Sequence, residues 1–306
     1  MRAILPLLFA AFALSLWGQA KKPVIKKAPR KFSWVSPAHP GALQNASKGL
    51  QHGQFKSPSM GVEVGYHIYL PPSYEKDGDA RFPVVYHLHG GRPGGEYKSI
   101  QLAKYVDKAI RGGKLHPVIY VFPNGGPMSW YNMPNREKAM GEDVFVKELL
   151  PHIDKAYRTV GGRKGRAIEG FSQGGRGTTR ILFKHPELWC SAAPGGSGYE
   201  PEKRIQENEG WENPNLQFLP IGYNAWDLAA KHSERSDVKT PPILLWVGTK
   251  GFNYEYNLKY SEYLKSLGIT HKMLIAEGVA HSAKGIYELK GMELMKFHEA
   301  NFAKGF

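Results

Sequence analysis

The chain has 306 residues, 42% of them hydrophobic, one cysteine and a formal net charge of +14. That length supports one large core or two modest domains, and a single cysteine excludes an intrachain disulfide, so packing must supply the stability. The cysteine, Cys190, lies in Leu188-Trp189-Cys190-Ser191, where a packed small hydrophobe is a simpler role than a nucleophile.

Residues 1–20 read as a secretory signal peptide. Arg2 is its positive start, residues 4–17 are an apolar run, and Gly18-Gln19-Ala20 is a small-x-small cleavage site. The run is shorter than the roughly 18 residues a membrane span needs. The mature chain is therefore expected to be secreted or periplasmic, without stable membrane insertion. Residues 21–55 read as a linker, in which Lys21, Lys22, Lys26, Lys27, Arg30 and Lys31 are interspersed with Pro23, Pro29, Pro37 and Pro40. Much of the positive charge is concentrated there, so it describes a solvated segment and not a nucleic-acid face. Contact with an anionic envelope surface or polysaccharide is the alternative.

Residues 56–306 are expected to form one domain. Short apolar runs predict strands over 62–70, 83–89, 118–122, 166–171, 189–194, 243–248 and 272–276. Helical patterns fall between them over 100–110, 143–156, 175–184, 257–267 and 285–301. Strand and helix alternate, and several strands are apolar on both faces. This predicts an α/β fold with a mostly parallel, doubly wound sheet and helices on both faces. Residues 197–223 fit neither period and read as an excursion over the ligand-facing edge.

The densest chemical signal is Glu169-Gly170-Phe171-Ser172-Gln173-Gly174-Gly175. It is Gly-x-Ser-x-Gly between a predicted strand and a predicted helix, the setting of a nucleophile elbow in an α/β-hydrolase fold. The turn strains the serine backbone and leaves no room for side chains at Gly170 and Gly174. A serine hydroxyl needs a base, and in this fold the base follows the last strand, where Glu277-Gly278-Val279-Ala280-His281 stands. His298, well inside the last helix, reads as a surface residue. The oxyanion donors expected are the amides of Gln173 and of Gly91, with Arg92 the nearest competitor to Gly91. His87 and His89 share a strand face but have no third ligand at useful spacing, so a metal is not expected. Serine acyl transfer needs no cofactor.

The carboxylate that would orient the base normally follows the penultimate strand. Here that stretch is Gly248-Thr249-Lys250-Gly251-Phe252. Glu255 and Asp227 are the two acids on neighbouring segments that would reach His281 if the loops allow.

Several segments together resemble the esterase D and feruloyl esterase family of α/β-hydrolases. They are His67-Ile68-Tyr69-Leu70-Pro71-Pro72, His87-Leu88-His89-Gly90-Gly91, the Ser172 elbow with His185-Pro186-Glu187-Leu188, and Gly278-Val279-Ala280-His281-Ser282. The resemblance covers most of residues 61–302. It implies hydrolysis of a small-molecule or polysaccharide-linked ester, with feruloyl or acetyl esters of plant polysaccharides as the substrate class. Gly251 departs from the family, which carries aspartate there in Gly-Thr-x-Asp. The family's loop beside the site is matched by Asn124-Gly125-Gly126-Pro127-Met128-Ser129-Trp130-Tyr131. Trp130 and Tyr131 would stack on a sugar or an aromatic acyl group, or else pack. An acyltransferase using the same residues, and a weakly active or non-catalytic glycan-binding relative, are the alternatives.

Overall fold

The computed structural model describes residues 32–36, 47–76, 78–206 and 220–302. The signal peptide and most of the linker expected from the sequence lie outside the described residues.

Eight strands form one sheet: β1 (Leu50–Lys56), β2 (Glu63–Tyr69), β3 (Val84–Leu88), β4 (Ile119–Pro123), β5 (Arg166–Phe171), β6 (Ser191–Gly195), β7 (Leu244–Lys250) and β8 (Lys272–Ala280). Their order is β1-β2-β4-β3-β5-β6-β7-β8, with the β1–β2 and β2–β4 pairs antiparallel and the remaining pairs parallel. The described α-helices of seven or more residues are α1 (Ala103–Arg111), α2 (Leu150–Ala156), α3 (Gln173–Lys184), α4 (Tyr199–Gln206), α5 (Ala225–Ser233), α6 (Tyr254–Ser266) and α7 (Ala283–Phe302). A π-helical stretch, Val144–Leu149, leads into α2.

Alternation along the strands feeds two cores. Ile168 and Leu245 pack on one face of the sheet, and Ala167, Leu244 and Trp246 on the other. The seven predicted strands all form, with ends shifted by a few residues. The strand that the sequence pattern missed is β1, which falls within the segment assigned to the linker. Its outward side chains are polar, and Leu50 and Phe55 alone bury, so its apolar signal is thin. Trp34, in the same segment, is also buried. The excursion expected over residues 197–223 begins with α4, and residues 207–219 lie outside the described part.

The winding reverses beside β3, which lies between β4 and β5. A doubly wound sheet opens a crevice at the carboxyl ends of its strands at such a point. The segment after β3 is His89-Gly90-Gly91, and the residue after β5 is Ser172. No helix among the described residues is long and apolar enough to cross a membrane.

Candidate active site

Ser172 has φ 61° and ψ −113° between β5 and α3. A non-glycine residue held there stores about 1–3 kcal/mol of strain, so its surroundings must fix it. The Ser172 amide donates to the Gly195 carbonyl at 2.8 Å, and the Arg176 amide donates to the Ser172 carbonyl at 3.1 Å. The flanking glycines are sterically required. A Cβ on Gly174 would lie 1.8 Å from the Leu88 carbonyl oxygen, and one on Gly170 would lie 2.5 Å from that of Gly174. β5 can therefore turn into α3 directly beneath the loop that follows β3.

That loop passes close to the serine, since a Cβ on Gly90 would stand 3.2 Å from the Ser172 Cβ. His89 organises the loop. Its Nδ1–H donates to the Gly90 carbonyl at 3.0 Å, and its Nε2 accepts the amides of Gly95 and Gly125, each at 3.2 Å. Burial, with Lys98 nearby, pushes its pKa down to about 3, so the ring is neutral and can both donate and accept. Gly91 has φ +70°, and its carbonyl accepts the Ser129 hydroxyl at 2.7 Å. Gln173 is the first residue of α3, where first-turn amides point out of the helix end.

His281 follows β8 and is half-buried at the same edge of the sheet. Its ring packs on Phe171, the neighbour of Ser172, with centroids 4.6 Å apart. Phe252 also packs on it, at 4.0 Å. The two sequence-predicted residues thus come to one edge, though no hydrogen bond joins them among the described residues. Catalytic hydrogen bonds are often long before substrate binds. The imidazole Nδ1 is buried without a partner. Burial is the sole cause that moves its pKa, down to about 4.

Among the described residues no carboxylate meets this ring, and neither acid expected from the sequence is placed on it. Glu255 stands exposed in the first turn of α6. Asp227 is used at the start of α5, where its carboxylate accepts the Asn224 side-chain amide at 2.9 Å and its own amide donates back to Asn224 Oδ1 at 2.9 Å. Gly251 lies beside His281: a Cβ built on it would be 3.6 Å from the His281 Cα.

Of the two roles open to Trp130 and Tyr131, packing is the one seen, because both are buried and neither offers a face to a ligand. The Trp130 Nε1–H donates to the His89 carbonyl at 3.0 Å. The Tyr131 hydroxyl donates to Glu202 at 2.6 Å, and the Arg180 guanidinium lies 3.7 Å above its ring. Arg180 also pairs with Glu202, and it donates to the Trp130 carbonyl at 2.8 Å. The aromatic pair therefore props the loop against α3. Sequence spacing alone could not reveal this, because Arg180 and Glu202 are charged residues with no local signature of burial.

His298 is buried too, against the surface position expected. Its Nδ1 lies 2.8 Å from Ser191 Oγ, and its Nε2 lies 3.3 Å from Glu169 Oε2, without hydrogen-bond alignment. Glu169 also meets His87 at 2.6 Å and accepts the Tyr287 hydroxyl. Burial alone would raise the Glu169 pKa, but the close approach of the His298 and His87 rings outweighs it and holds the group down at about 2. His87 and His89 thus have separate partners inside the protein.

A serine on a strained strand-to-helix turn, next to a histidine that follows the last strand of a mostly parallel sheet, defines the α/β-hydrolase class. Within it the chain belongs to the putative esterase family, which it matches over residues 57–268. It is 29% identical over 193 residues to an esterase of Mycobacterium tuberculosis, covering 59% of this chain and 40% of that protein. It is 30% identical over 253 residues to an endo-1,4-beta-xylanase/feruloyl esterase of Xylanibacter ruminicola, covering 76% of this chain and 30% of that protein. The chain thus spans well under half the length of these relatives. An S-formylglutathione hydrolase from Agrobacterium tumefaciens has the same fold, with a TM-score of 0.68 at 19% identity over 84% of this chain and 98% of that one. So does the feruloyl esterase module from Clostridium thermocellum complexed with sinapinate, with a TM-score of 0.61 at 18% identity over 90% of this chain and 95% of that one.

Proposed function

We propose that the chain hydrolyses carboxylic esters through an acyl-enzyme on Ser172. The observation that carries this is the backbone of Ser172, strained at φ 61° beside the His89–Gly91 loop and one residue from the ring that packs on His281. Strain of this kind persists where the surroundings over-determine it, and it collects at functional sites.

In this mechanism Ser172 Oγ attacks the ester carbonyl while His281 takes its proton. The carbonyl oxygen gains charge and is held by the amides of Gln173 and Gly91. The imidazolium then returns the proton to the departing alcohol. Water repeats the sequence on the acyl-enzyme and releases the acid and the free serine. Every bond broken is replaced by the next nucleophile, and no metal or organic cofactor is called on.

Feruloyl or acetyl esters linked to plant polysaccharide are the proposed substrates, on the strength of the xylanase/feruloyl esterase relative. Residues 1–20 are proposed as a signal peptide that exports the chain, 21–55 as a basic linker interrupted by β1, and the remainder as the catalytic domain. A second reading, a weakly active relative, is favoured by one observation: the unpartnered Nδ1 of His281.

Hydrolysis of 4-nitrophenyl acetate and methyl ferulate by the wild type and by Ser172→Ala tests the proposal. Activity in the wild type that disappears in the variant is expected. Equal activity in both would remove Ser172 from the mechanism.

A further inference from the structure

A catalytic imidazole must be held in one orientation, because a ring free to rotate presents its nitrogen to the serine for only part of the time. A carboxylate on Nδ1 ordinarily does this holding, and stabilises the imidazolium as well. His281 has no such partner among the described residues, and Gly251 leaves bare the position from which one would reach it. Even so, the ring is not loose. Phe171 and Phe252 pack against it at 4.6 and 4.0 Å, inclined by 38° and 39°.

The two phenyl rings differ in what else they do. Phe171 is buried and also packs on Trp246 at 5.1 Å, so the core accounts for it. Phe252 is 75% exposed. Its one ring contact among the described residues is His281. An exposed phenylalanine gains little from burial, so stability does not explain its place. The turn that carries it is firmly set. The Gly251 amide donates to the Gly248 carbonyl, the Tyr254 amide donates to the Gly251 carbonyl, each at 2.9 Å, and the Asn253 side chain donates to the Gly196 carbonyl at 2.8 Å. The last of these ties the turn to the end of β6, which also receives the Ser172 amide.

We propose that Phe252 is a positioning residue for His281. Together with Phe171 it clamps the imidazole, doing by ring packing what an aspartate at position 251 would do by hydrogen bonding. The proposal rests on His281 being the base for Ser172. The clamp supplies orientation but no charge, so it replaces one half of what a carboxylate provides.

The test is a double-substitution cycle on kcat with 4-nitrophenyl acetate. Phe252→Ala is expected to lower kcat by about 10- to 100-fold with KM little changed, the scale of a lost alignment. Phe252→Tyr should retain most of the rate. In a Gly251→Asp background, where a carboxylate holds the ring, the loss from Phe252→Ala should shrink to under about threefold. An unchanged kcat, a rise in KM alone, or an equal loss in both backgrounds would overturn the proposal. NMR of the His281 imidazole provides a readout independent of activity, and it decides the matter if Gly251→Asp is inactive. Freeing the imidazole to rotate should broaden its resonances in Phe252→Ala, a change that loss of the phenyl ring current alone does not cause, and line widths equal to those of the wild type count against the clamp. If Ser172→Ala or His281→Ala stays active, the mechanism fails on its own account, whatever the NMR result.

Discussion

Gly251 and His281 are neighbours across the β7 and β8 ends, with the glycine's missing Cβ 3.6 Å from the histidine Cα. The backbone at 251 is outside the left-handed region, so a side chain is not strained there. The tightest approach of a new Cβ is 3.0 Å to the Gly248 carbonyl oxygen, so the turn must give by a few tenths of an ångström to take a side chain.

Gly251→Asp should therefore be tolerated and should raise kcat. A carboxylate on the His281 Nδ1 orients the ring and stabilises the imidazolium formed during attack. Losing the equivalent interaction in a complete triad costs about four orders of magnitude. A gain of about 10- to 1,000-fold is expected here, because the phenyl clamp already provides part of the alignment. Steady-state kinetics on 4-nitrophenyl acetate measure it, and an unchanged kcat would mean that the ring gains nothing from an acid.

The parts of the site that the sequence made legible are those written in local pattern. Ser172 stood out because glycines at 170 and 174 bracket it between a strand and a helix, and His281 because it follows the last strand. The parts it hid depend on burial brought about by distant residues. Trp130 and Tyr131 stayed open between a ligand platform and packing, because an aromatic pair in a glycine-rich loop reads the same whether it faces solvent or is pinned by Arg180 and Glu202. His298 looked like a surface residue since its partners, Ser191 and Glu169, are far away in sequence. β1 escaped notice through its thin apolar pattern and its position beside a basic, proline-rich stretch.

The pH profile should differ between the wild type and Gly251→Asp. Burial holds the His281 pKa near 4, below its ordinary value, and a general base works only when neutral. Wild-type kcat/KM should thus stay level as pH falls to about 5, then drop through about 4. A negative charge beside the ring favours the imidazolium and raises the pKa, so the acid limb of Gly251→Asp should move to higher pH. Identical limbs in the two proteins would mean that the group titrating is not His281.

The strain at Ser172 predicts a stability difference between two inactive variants. Ser172→Ala keeps a Cβ at φ 61°, whereas Ser172→Gly occupies that region without steric cost. The glycine variant should be more stable than the alanine variant by about 1 kcal/mol, after its greater chain entropy in the unfolded state is offset. Urea unfolding of the two proteins compares them directly. An alanine variant as stable as the glycine variant would mean the turn is relaxed.

Glu169 anchors the middle of the sheet, and its removal should be the most damaging of these changes. Its carboxylate is buried with His87 at 2.6 Å, His298 at 3.3 Å and the Tyr287 hydroxyl, so these groups lose their shared acceptor in Glu169→Ala. Breaking a buried pair by removing one partner costs about 3–5 kcal/mol. Glu169→Gln keeps the shape without the charge and should cost less. The carboxylate pKa is lowered to about 2 in the folded chain. Its contribution is therefore complete above the ordinary carboxylate range and lost as pH falls from that range through about 2. Urea midpoints measured from pH 7 down to pH 3 should accordingly fall more steeply in the wild type than in Glu169→Gln. Parallel curves for the two proteins would show that the fold leaves the carboxylate pKa unshifted.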